Sequence, residues 1–233
     1  MFQPILFHDR REAGHLLANA LREQLRPDDL RNAIVLALPR GGVPVAYEVA
    51  HQFHLPLDVF VVRKLGAPGQ QELAMGAIAS GGIIVLQPYV IRALGIAQDT
   101  IDAAAARERI EIERREAAYR AGRPPISLAD RTVILVDDGL ATGSTMKAAV
   151  RTLRSPGSRS VARTVIVAVP IGAPGTCEEL SREADRIVCL HTPVHFHAVG
   201  EFYRSFDQTS DEEVCALLAE TAAGRGTPSH HPE

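Results

Sequence analysis

Apolar and polar positions along this chain alternate in blocks, and the blocks follow two different periodicities. Short apolar runs bounded by turn residues predict buried strands, and longer segments with an apolar stripe at helical spacing predict helices. Because strands alternate with helices over most of the chain, the pattern predicts βαβ units and an α/β fold with a mainly parallel sheet flanked by helices. The predicted strands cover residues 33–38, 57–64, 75–80, 83–86, 133–136, 161–170 and 186–190.

The first predicted helix is amphipathic and covers residues 8–25, where Asp9 can cap it with Glu12 three residues later. A long helical segment over 99–121 contains five arginines. We interpret those arginines as a solvated helix face rather than as an anion site. Further helices are predicted over 43–53, 144–154 and 173–184.

Composition narrows the class of protein. Of 233 residues, 46% are hydrophobic, which is enough for the core of one α/β domain. The formal net charge of -3 argues against nucleic-acid binding through a basic surface. The three cysteines show no CxxC spacing, and no signal peptide or membrane-spanning stretch is recognisable. We therefore expect a soluble cytoplasmic protein.

The stretch VILVDDGLATGST, residues 133–145, joins a buried strand to two acids and a turn of glycine and hydroxyl residues. In open parallel sheets, ligands bind beyond the carboxyl ends of the strands. Ionised Asp137 and Asp138 accept hydrogen bonds and therefore suit sugar hydroxyls. The turn opens a helix, whose N–H groups and dipole favour a phosphate. The stretch therefore predicts a sugar-phosphate site.

The same stretch resembles the signature for 5-phosphoribosyl 1-pyrophosphate (PRPP) of the type I phosphoribosyltransferases. Two other segments agree with that family in order and spacing. LPRGGVPVA resembles its pyrophosphate loop, and VVRKLGAPGQQE resembles the start of its mobile catalytic loop, closest to the adenine type. The resemblance implies a core over about 33–190 and a small hood from 1–32 and 191–221. These would form one domain over 1–221, with 222–233 as a flexible tail.

The reaction of this family implies roles for individual residues. A nitrogen acceptor displaces pyrophosphate from C1 of the ribose, with Mg²⁺ on the substrate phosphates and no metal held directly by the protein. A polar loop over 65–72 is expected to close and exclude water. The implied PRPP-binding residues are Arg40, Gly41, Gly42, Gly139, Leu140, Ala141, Thr142, Gly143, Ser144 and Thr145. The implied catalytic residues are Asp137, Asp138, Arg63, Lys64 and Glu72.

The acceptor is expected to be a nucleobase held by the hood. Phe196, Phe202 or Tyr203 could stack on it, and ordinary core packing is the alternative for each of them. Ala141 stands where hypoxanthine-guanine enzymes carry an acid, so hypoxanthine and guanine are expected to be poor acceptors. The histidines at 191, 195 and 197 are interpreted as alternation along an exposed strand rather than as metal ligands.

Two other functions stay open beside the enzyme. A PRPP-sensing regulator with the same fold would bind nucleic acid, which the negative net charge disfavours. A degenerate sugar-phosphate module would have lost chemistry, and the presence of Arg40, Lys64, Asp137 and Asp138 argues against it. The expected partners are PRPP and a small-molecule acceptor, without a membrane, and a homodimer also stays open.

Overall fold

A computed structural model of the chain describes residues 5–155 and 162–223, except for the side chains of Gln71 and Glu72. The strands found there are β1 (Ala33–Ala37), β2 (Leu57–Val59), β3 (Val62–Ala67), β4 (Gln70–Ala79), β5 (Ile83–Leu86), β6 (Thr132–Val136), β7 (Thr164–Ile171) and β8 (Arg186–His191). The α-helices are α1 (Arg10–Gln24), α2 (Pro27–Leu30), α3 (Gly42–Phe53), α4 (Pro88–Leu94), α5 (Gln98–Arg120), α6 (Ser144–Arg154), α7 (Pro174–Ser181) and α8 (Asp211–Ala223). A turn of 3-10 helix covers Val199–Phe202.

The main sheet contains five parallel strands in the order β2–β1–β6–β7–β8, which confirms the predicted α/β fold. Helices α1, α3 and α8 cover one face of this sheet, and α6 and α7 cover the other. Successive residues of a strand point to opposite faces. Val35 of β1 therefore packs in the first core and Leu36 in the second. Because β1 and β6 are neighbours, the loops that follow them lie side by side.

The segment predicted as one strand over 57–64 is divided between two sheets. Its first part is β2, and the N–H of Phe60 still donates to the carbonyl of Ala37 in β1 (2.9 Å). The N–H of Val61 instead donates to the hydroxyl of Ser80 (2.8 Å), and the chain continues as β3. The prediction of one continuous strand is wrong, because apolar continuity does not report which strand each residue pairs with.

A second, antiparallel sheet contains β3, β4 and β5. It includes the segment 65–72, which is a β-hairpin and not the irregular loop that its polar, glycine-rich sequence predicts. β3 extends through Ala67, a turn follows at Pro68 and Gly69, and β4 begins at Gln70. Gly69 has a φ of +71°, which favours glycine. Proline and glycine therefore mark only the tip of this segment, and the rest is paired.

Helix α5 packs against the antiparallel sheet. Its buried apolar residues on that side are Ile101, Ala104, Ala105 and Ile112. The expectation of a solvated arginine face holds for Arg107, Arg109 and Arg114, which are exposed. It is wrong for Arg120, whose Nε donates to Asp58 at the end of β2 (2.8 Å) within a largely buried contact. Within the described ranges, no helix is both long and apolar enough to cross a membrane.

The segment before α1 and the segment after β8 meet above the carboxyl edge of the main sheet. Phe7 and Tyr203 form an isolated parallel bridge, and the N–H of Phe7 donates to the carbonyl of Phe202 (3.0 Å). These rings are buried together with Ile171, the last residue of β7. Residues of these two segments therefore lie next to the loops that follow β6 and β7.

The segment after β8 departs from its prediction. The strand ends at His191, and residues 192–198 form neither a strand nor a helix. The expected alternation of His195 and His197 along an exposed strand is therefore wrong, although both side chains are exposed. Helix α8 continues to Ala223, and the rest of the predicted tail lies outside the described residues.

Candidate active site

Two carboxyl groups stand directly after β6, at the carboxyl edge of the main sheet. The N–H of Asp138 donates to Oδ1 of Asp137 (2.9 Å). Burial, together with the charge of the neighbouring Asp138, raises the pKa of Asp137 well above its usual range. Burial also raises the pKa of Asp138, although the Arg10 guanidinium opposes that rise. The pair therefore favours a ligand that donates hydrogen bonds or carries positive charge.

The loop after β1 packs directly against these two acids. Beyond the last paired residues, the N–H of Leu38 donates to the carbonyl of Val136 (2.9 Å). A Cβ on Gly41 would lie 2.1 Å from Oδ2 of Asp138, and a Cβ on Gly42 would lie 2.8 Å from the Val136 carbonyl oxygen. Both positions therefore require glycine, because a side chain there would displace the acids or the strand end.

Arg40 lies in the same loop and is directed towards α8. Its Nη1 lies 3.8 Å from Oδ1 of Asp211, which also accepts a hydrogen bond from the hydroxyl of Tyr119 (2.7 Å). The peptide bond between Pro39 and Arg40 is cis. Arg40 thus occupies the loop in which the sequence places it, and its guanidinium forms a long ion pair rather than a contact with the two acids.

The loop 139–143 leads from the acids into α6. Gly143 has a φ of +65°, and the helix begins at the next residue. The side chains of Thr142, Ser144 and Thr145 are exposed at this point, with the hydroxyl oxygens of Thr142 and Ser144 3.3 Å apart. The first N–H groups of a helix have no partner within the helix. Together with the hydroxyls, they can bind a phosphate.

Helix α7 and the end of β7 hold this loop in place. Thr176 donates its hydroxyl to the carbonyl of Ala141 (2.6 Å), and a Cβ on Gly143 would lie 2.4 Å from Cγ2 of Thr176. The N–H of Leu140 donates to the carbonyl of Ile171 (2.9 Å), and the Leu140 side chain is buried. The N–H and the side chain of Leu140 are therefore both engaged within the protein, and its contact with PRPP stays a prediction.

Gly139 is required for packing against the C-terminal segment. A Cβ at this position would lie 2.6 Å from Cγ1 of Val199 and 2.9 Å from Cγ2 of Ile171. The missing side chain therefore allows the 3-10 turn to approach the acids. This packing is a reason for glycine here that does not depend on PRPP, and the contact of Gly139 with PRPP stays a prediction.

The two basic residues at the start of β3 point to opposite faces of their strand. Arg63 faces α5, where its Nε donates to Oε2 of Glu108 (2.7 Å). Lys64 faces the other way and lines a cleft of about 760 Å³ together with Thr142, Ser144 and Thr145. Arg63 is thus engaged on the face opposite to the phosphate loop, and its implied catalytic role stays a prediction. Lys64 is at the phosphate loop, and the side chain of Glu72 lies outside the described part of the structure.

The aromatic residues predicted to stack on a base are mainly core residues. Phe202 and Tyr203 are only 1% and 5% exposed. Phe196 packs on Phe202, with ring centroids 5.6 Å apart. Of the two alternatives, core packing describes Phe202 and Tyr203, because both rings are buried. The hydroxyl of Tyr203 instead donates to the carbonyl of Asp138 (2.7 Å).

Arg10 contacts the acids and is not among the residues that sequence reasoning selects. Its Nε donates to Oδ2 of Asp138 (2.8 Å), and both side chains are largely buried. A signal for it exists in the sequence. Asp9 caps α1 and places Arg10 in the first turn, where the partial positive charge of the helix N-terminus disfavours a cation. An arginine at such a position indicates an acidic partner elsewhere in the fold.

The described residues contain no group of three or more His, Cys, Asp or Glu side chains that could hold a metal ion. Asp137 and Asp138 are two adjacent carboxylates at the ligand edge. Mg²⁺ is commonly bound by one or two carboxylates together with substrate phosphates and water. The donor set therefore fits a Mg²⁺ ion that is bound mainly by a phosphorylated substrate.

Comparisons with known proteins agree with one another. The family model described as a phosphoribosyl transferase domain matches residues 8–203. The Mycobacterium tuberculosis protein named "Putative phosphoribosyl transferase Rv0571c" is 47% identical over 213 residues, which are 91% of this chain and 46% of that protein. The chain thus spans about half the length of the curated relatives it matches. The crystal structure of TT1426 from Thermus thermophilus is 44% identical, with a TM-score of 0.79 and coverage of 92% and 98% of the two chains.

Proposed function

The chain belongs to the phosphoribosyltransferase family, and we propose that it transfers the 5-phosphoribosyl group of PRPP to a nitrogen acceptor, with release of pyrophosphate. One observation carries this proposal. The acid pair, the glycine loop before α3 and the hydroxyl-rich start of α6 lie together at one edge of the sheet. A ribose that carries a phosphate at one end and a pyrophosphate at the other matches these three features in chemistry.

In this proposal, Asp137 and Asp138 accept hydrogen bonds from the ribose hydroxyls. The bond between C1 and the pyrophosphate oxygen breaks with its electron pair on the pyrophosphate, and the acceptor nitrogen forms the new bond to C1. Positive charge grows on the ring during this step. Two fixed carboxylates beside the ring stabilise that charge because they are already oriented and need no rearrangement.

The phosphate groups of PRPP bind at two loops, the one that follows β6 and the one that follows β1. The 5-phosphate binds at the N-terminus of α6 through its N–H groups and the hydroxyls of Thr142, Ser144 and Thr145. The pyrophosphate lies along Gly41 and Gly42, with Arg40 in the same loop and Lys64 at the cleft wall. Asp137 and Asp138 are the carboxylates available to a Mg²⁺ ion held mainly by the pyrophosphate, and the ion would supply positive charge to the leaving group.

The acceptor that we propose is a nucleobase other than hypoxanthine or guanine. Ala141 offers no titratable group in the phosphate loop, so it cannot take a proton from the base. The proton of the acceptor must pass to water, to the base itself or to a residue of the hairpin such as Glu72. Adenine fits this restriction, since the adenine-type phosphoribosyltransferases that the sequence resembles likewise carry an uncharged residue at the position of Ala141.

The test is pyrophosphate release from Mg²⁺–PRPP with a panel of purine and pyrimidine bases, with the nucleotide product measured in parallel. We expect one base to give pyrophosphate and nucleotide in equal amounts, and Asp138→Asn to slow both. PRPP binding without turnover on any base would favour the PRPP-sensing regulator. Fast turnover of hypoxanthine or guanine, with adenine inert, would contradict the proposed acceptor and leave the transfer reaction intact.

A further inference from the structure

Arg10 is the first residue of α1, and it binds one of the two acids from outside the phosphate and pyrophosphate loops. Its Nε donates to Oδ2 of Asp138 (2.8 Å), and its Nη1 donates to the carbonyl of Asp207 (2.7 Å). The guanidinium carbon lies 3.8 Å from the ring centroid of Phe206. The Arg10 side chain is 12% exposed and that of Asp138 is 15% exposed, so solvent screens this ion pair weakly.

Asp138 is held at a second point by the C-terminal segment. The hydroxyl of Tyr203 donates to its backbone carbonyl (2.7 Å). The ring of Tyr203 lies 4.9 Å from the ring of Phe206, on which Arg10 also packs. The carboxylate of Asp138 and its backbone are therefore fixed by two residues that share one aromatic surface.

The position of Arg10 is unfavourable for helix α1 alone, because a cation in the first turn opposes the helix dipole. The ion pair of Arg10 with Asp138 offsets this unfavourable interaction with the helix dipole. The charged or titratable groups that face Asp138 are Asp137 from the same strand end, Arg10 from α1 and Tyr203 from the C-terminal segment. Within the described part of the chain, Arg10 supplies the positive charge among these groups, and its hydrogen bond fixes the direction of the Asp138 carboxylate.

We propose that Arg10 is a positioning residue for the binding of PRPP. Arg10 holds Asp138 as an oriented carboxylate, with Oδ1 directed to a ribose hydroxyl. This inference rests on the proposed function and adds to it a residue from the N-terminal segment. The planar guanidinium is suited to the task because it donates to Asp138 and to Asp207 at the same time while one face packs on Phe206. Arg10 acts through Asp138, and PRPP need not touch it.

The experiment compares Arg10→Gln and Arg10→Lys with a matched control, Arg22→Gln. Arg22 is an exposed arginine of the same helix that packs near the ring of Phe53 (5.9 Å). Calorimetric titration with Mg²⁺–PRPP measures the affinity of each variant, and urea denaturation measures its free energy of unfolding. We expect Arg10→Gln to weaken PRPP binding by about tenfold, since it removes a hydrogen bond between charged groups. We expect the control to bind as the wild type does.

The conservative variant and a second ligand separate positioning from general destabilisation. Arg10→Lys retains the charge and should recover only part of the affinity, because an ammonium group lacks the planar fork. Pyrophosphate with Mg²⁺ has no ribose hydroxyl for Asp138 to bind, so Arg10→Gln and the wild type should bind it equally.

Two outcomes would overturn the proposal. If Arg10→Gln does not fold, the same comparison is made between Arg10→Lys and the wild type, and equal PRPP affinity in those two proteins would overturn the proposal. A folded Arg10→Gln that matches Arg22→Gln in PRPP affinity would also overturn it. A wild type that does not bind PRPP overturns the proposed function, and with it this role of Arg10.

Discussion

The side chain of Asp137 is half-buried beside Asp138, and we predict that Asp137→Asn makes the protein more stable and unable to bind PRPP. Burial and the Asp138 charge raise the pKa of Asp137 in the folded state. The folded protein therefore binds more protons than the unfolded chain once the pH exceeds the usual carboxyl pKa, and stability falls as the pH rises through the raised pKa. Asparagine removes this loss and keeps Oδ1 as an acceptor for the N–H of Asp138.

Urea denaturation of the wild type and Asp137→Asn over a pH series measures this effect. We expect a gain in the free energy of unfolding of about 0.5–2 kcal/mol near neutral pH, in the range of typical stabilising substitutions. The gain should vanish below the usual carboxyl pKa of about 4, where the wild-type group is protonated in both states. A gain that is the same at all pH values would show that the charge of Asp137 is not its cause.

Gly41 is predicted to tolerate no side chain, even though its φ of -59° is open to any residue. In Gly41→Ala, the new Cβ would lie 2.1 Å from Oδ2 of Asp138, so the acid or the loop must move. We expect a loss of about 1–3 kcal/mol in the free energy of unfolding, as in other overpacked sites, and weaker PRPP binding. Gly175→Ala is the control, because its Cβ meets no atom within 4 Å. Equal PRPP affinity in the two variants would contradict the close approach.

The residues of this site differ in how far the sequence reveals them. Asp137, Asp138 and the phosphate-loop hydroxyls lie in one continuous stretch, so their order alone indicates the chemistry. Arg10 and Asp138 are 128 positions apart, and no local pattern connects them. Burial likewise turns Phe202 and Tyr203 into core residues, and aromatic composition does not distinguish a core ring from a ligand-facing one.

The adjacent basic residues of β3, Arg63 and Lys64, lie on opposite faces of the strand. We therefore predict that substitutions at these two positions affect different properties, the stability in one case and the reaction rate in the other. Lys64→Gln should lower the rate of phosphoribosyl transfer and leave the fold intact, since Lys64 lines the cleft at the phosphate loop. Arg63→Gln should leave the rate unchanged and lower the free energy of unfolding by less than about 1 kcal/mol, because its pair with Glu108 is partly exposed. Steady-state kinetics and urea denaturation of both variants show which face of β3 contributes to the reaction. A larger loss of rate in Arg63→Gln would reverse the assignment.

At the scale of elements, the main sheet was predictable, and the second sheet was predictable only in part: strands over 75–80 and 83–86 were predicted, and the hairpin over 65–72 was not. Strands β1, β6 and β7 are continuous apolar runs because both faces of the sheet are covered by helices, and such runs are visible in the sequence. The hairpin of β3 and β4 carries polar and glycine residues, so the same criteria predict a loop. Its strands are stabilised by pairing with each other and by the packing of α5, which depend on contacts beyond any local window.

In the whole molecule, the two sheets are connected where the chain passes from β2 to β3. Arg120, at the end of α5, donates to Asp58 of β2 and to the carbonyl of Val59 (3.2 Å), so the helix that packs on the second sheet is bound to the edge of the first. Lys64 is carried by the second sheet, and the two acids are carried by the first. The candidate site therefore forms only when both sheets are folded.

For this reason, we predict that Mg²⁺–PRPP stabilises the whole chain. The ligand would contact the loop after β1, the start of β3 and the loop after β6, and the unfolded chain does not bring these segments together. At 100 times its dissociation constant, it should raise the free energy of unfolding by about 2.7 kcal/mol. For a chain of this size, that corresponds to a rise in Tm of roughly 5–10 °C. Ribose 5-phosphate, which lacks the pyrophosphate, should give a smaller shift, and Asp138→Asn should reduce the shift with PRPP. Calorimetry that shows neither heat of binding nor a change in Tm at millimolar PRPP would contradict both the site and the reaction assigned to it.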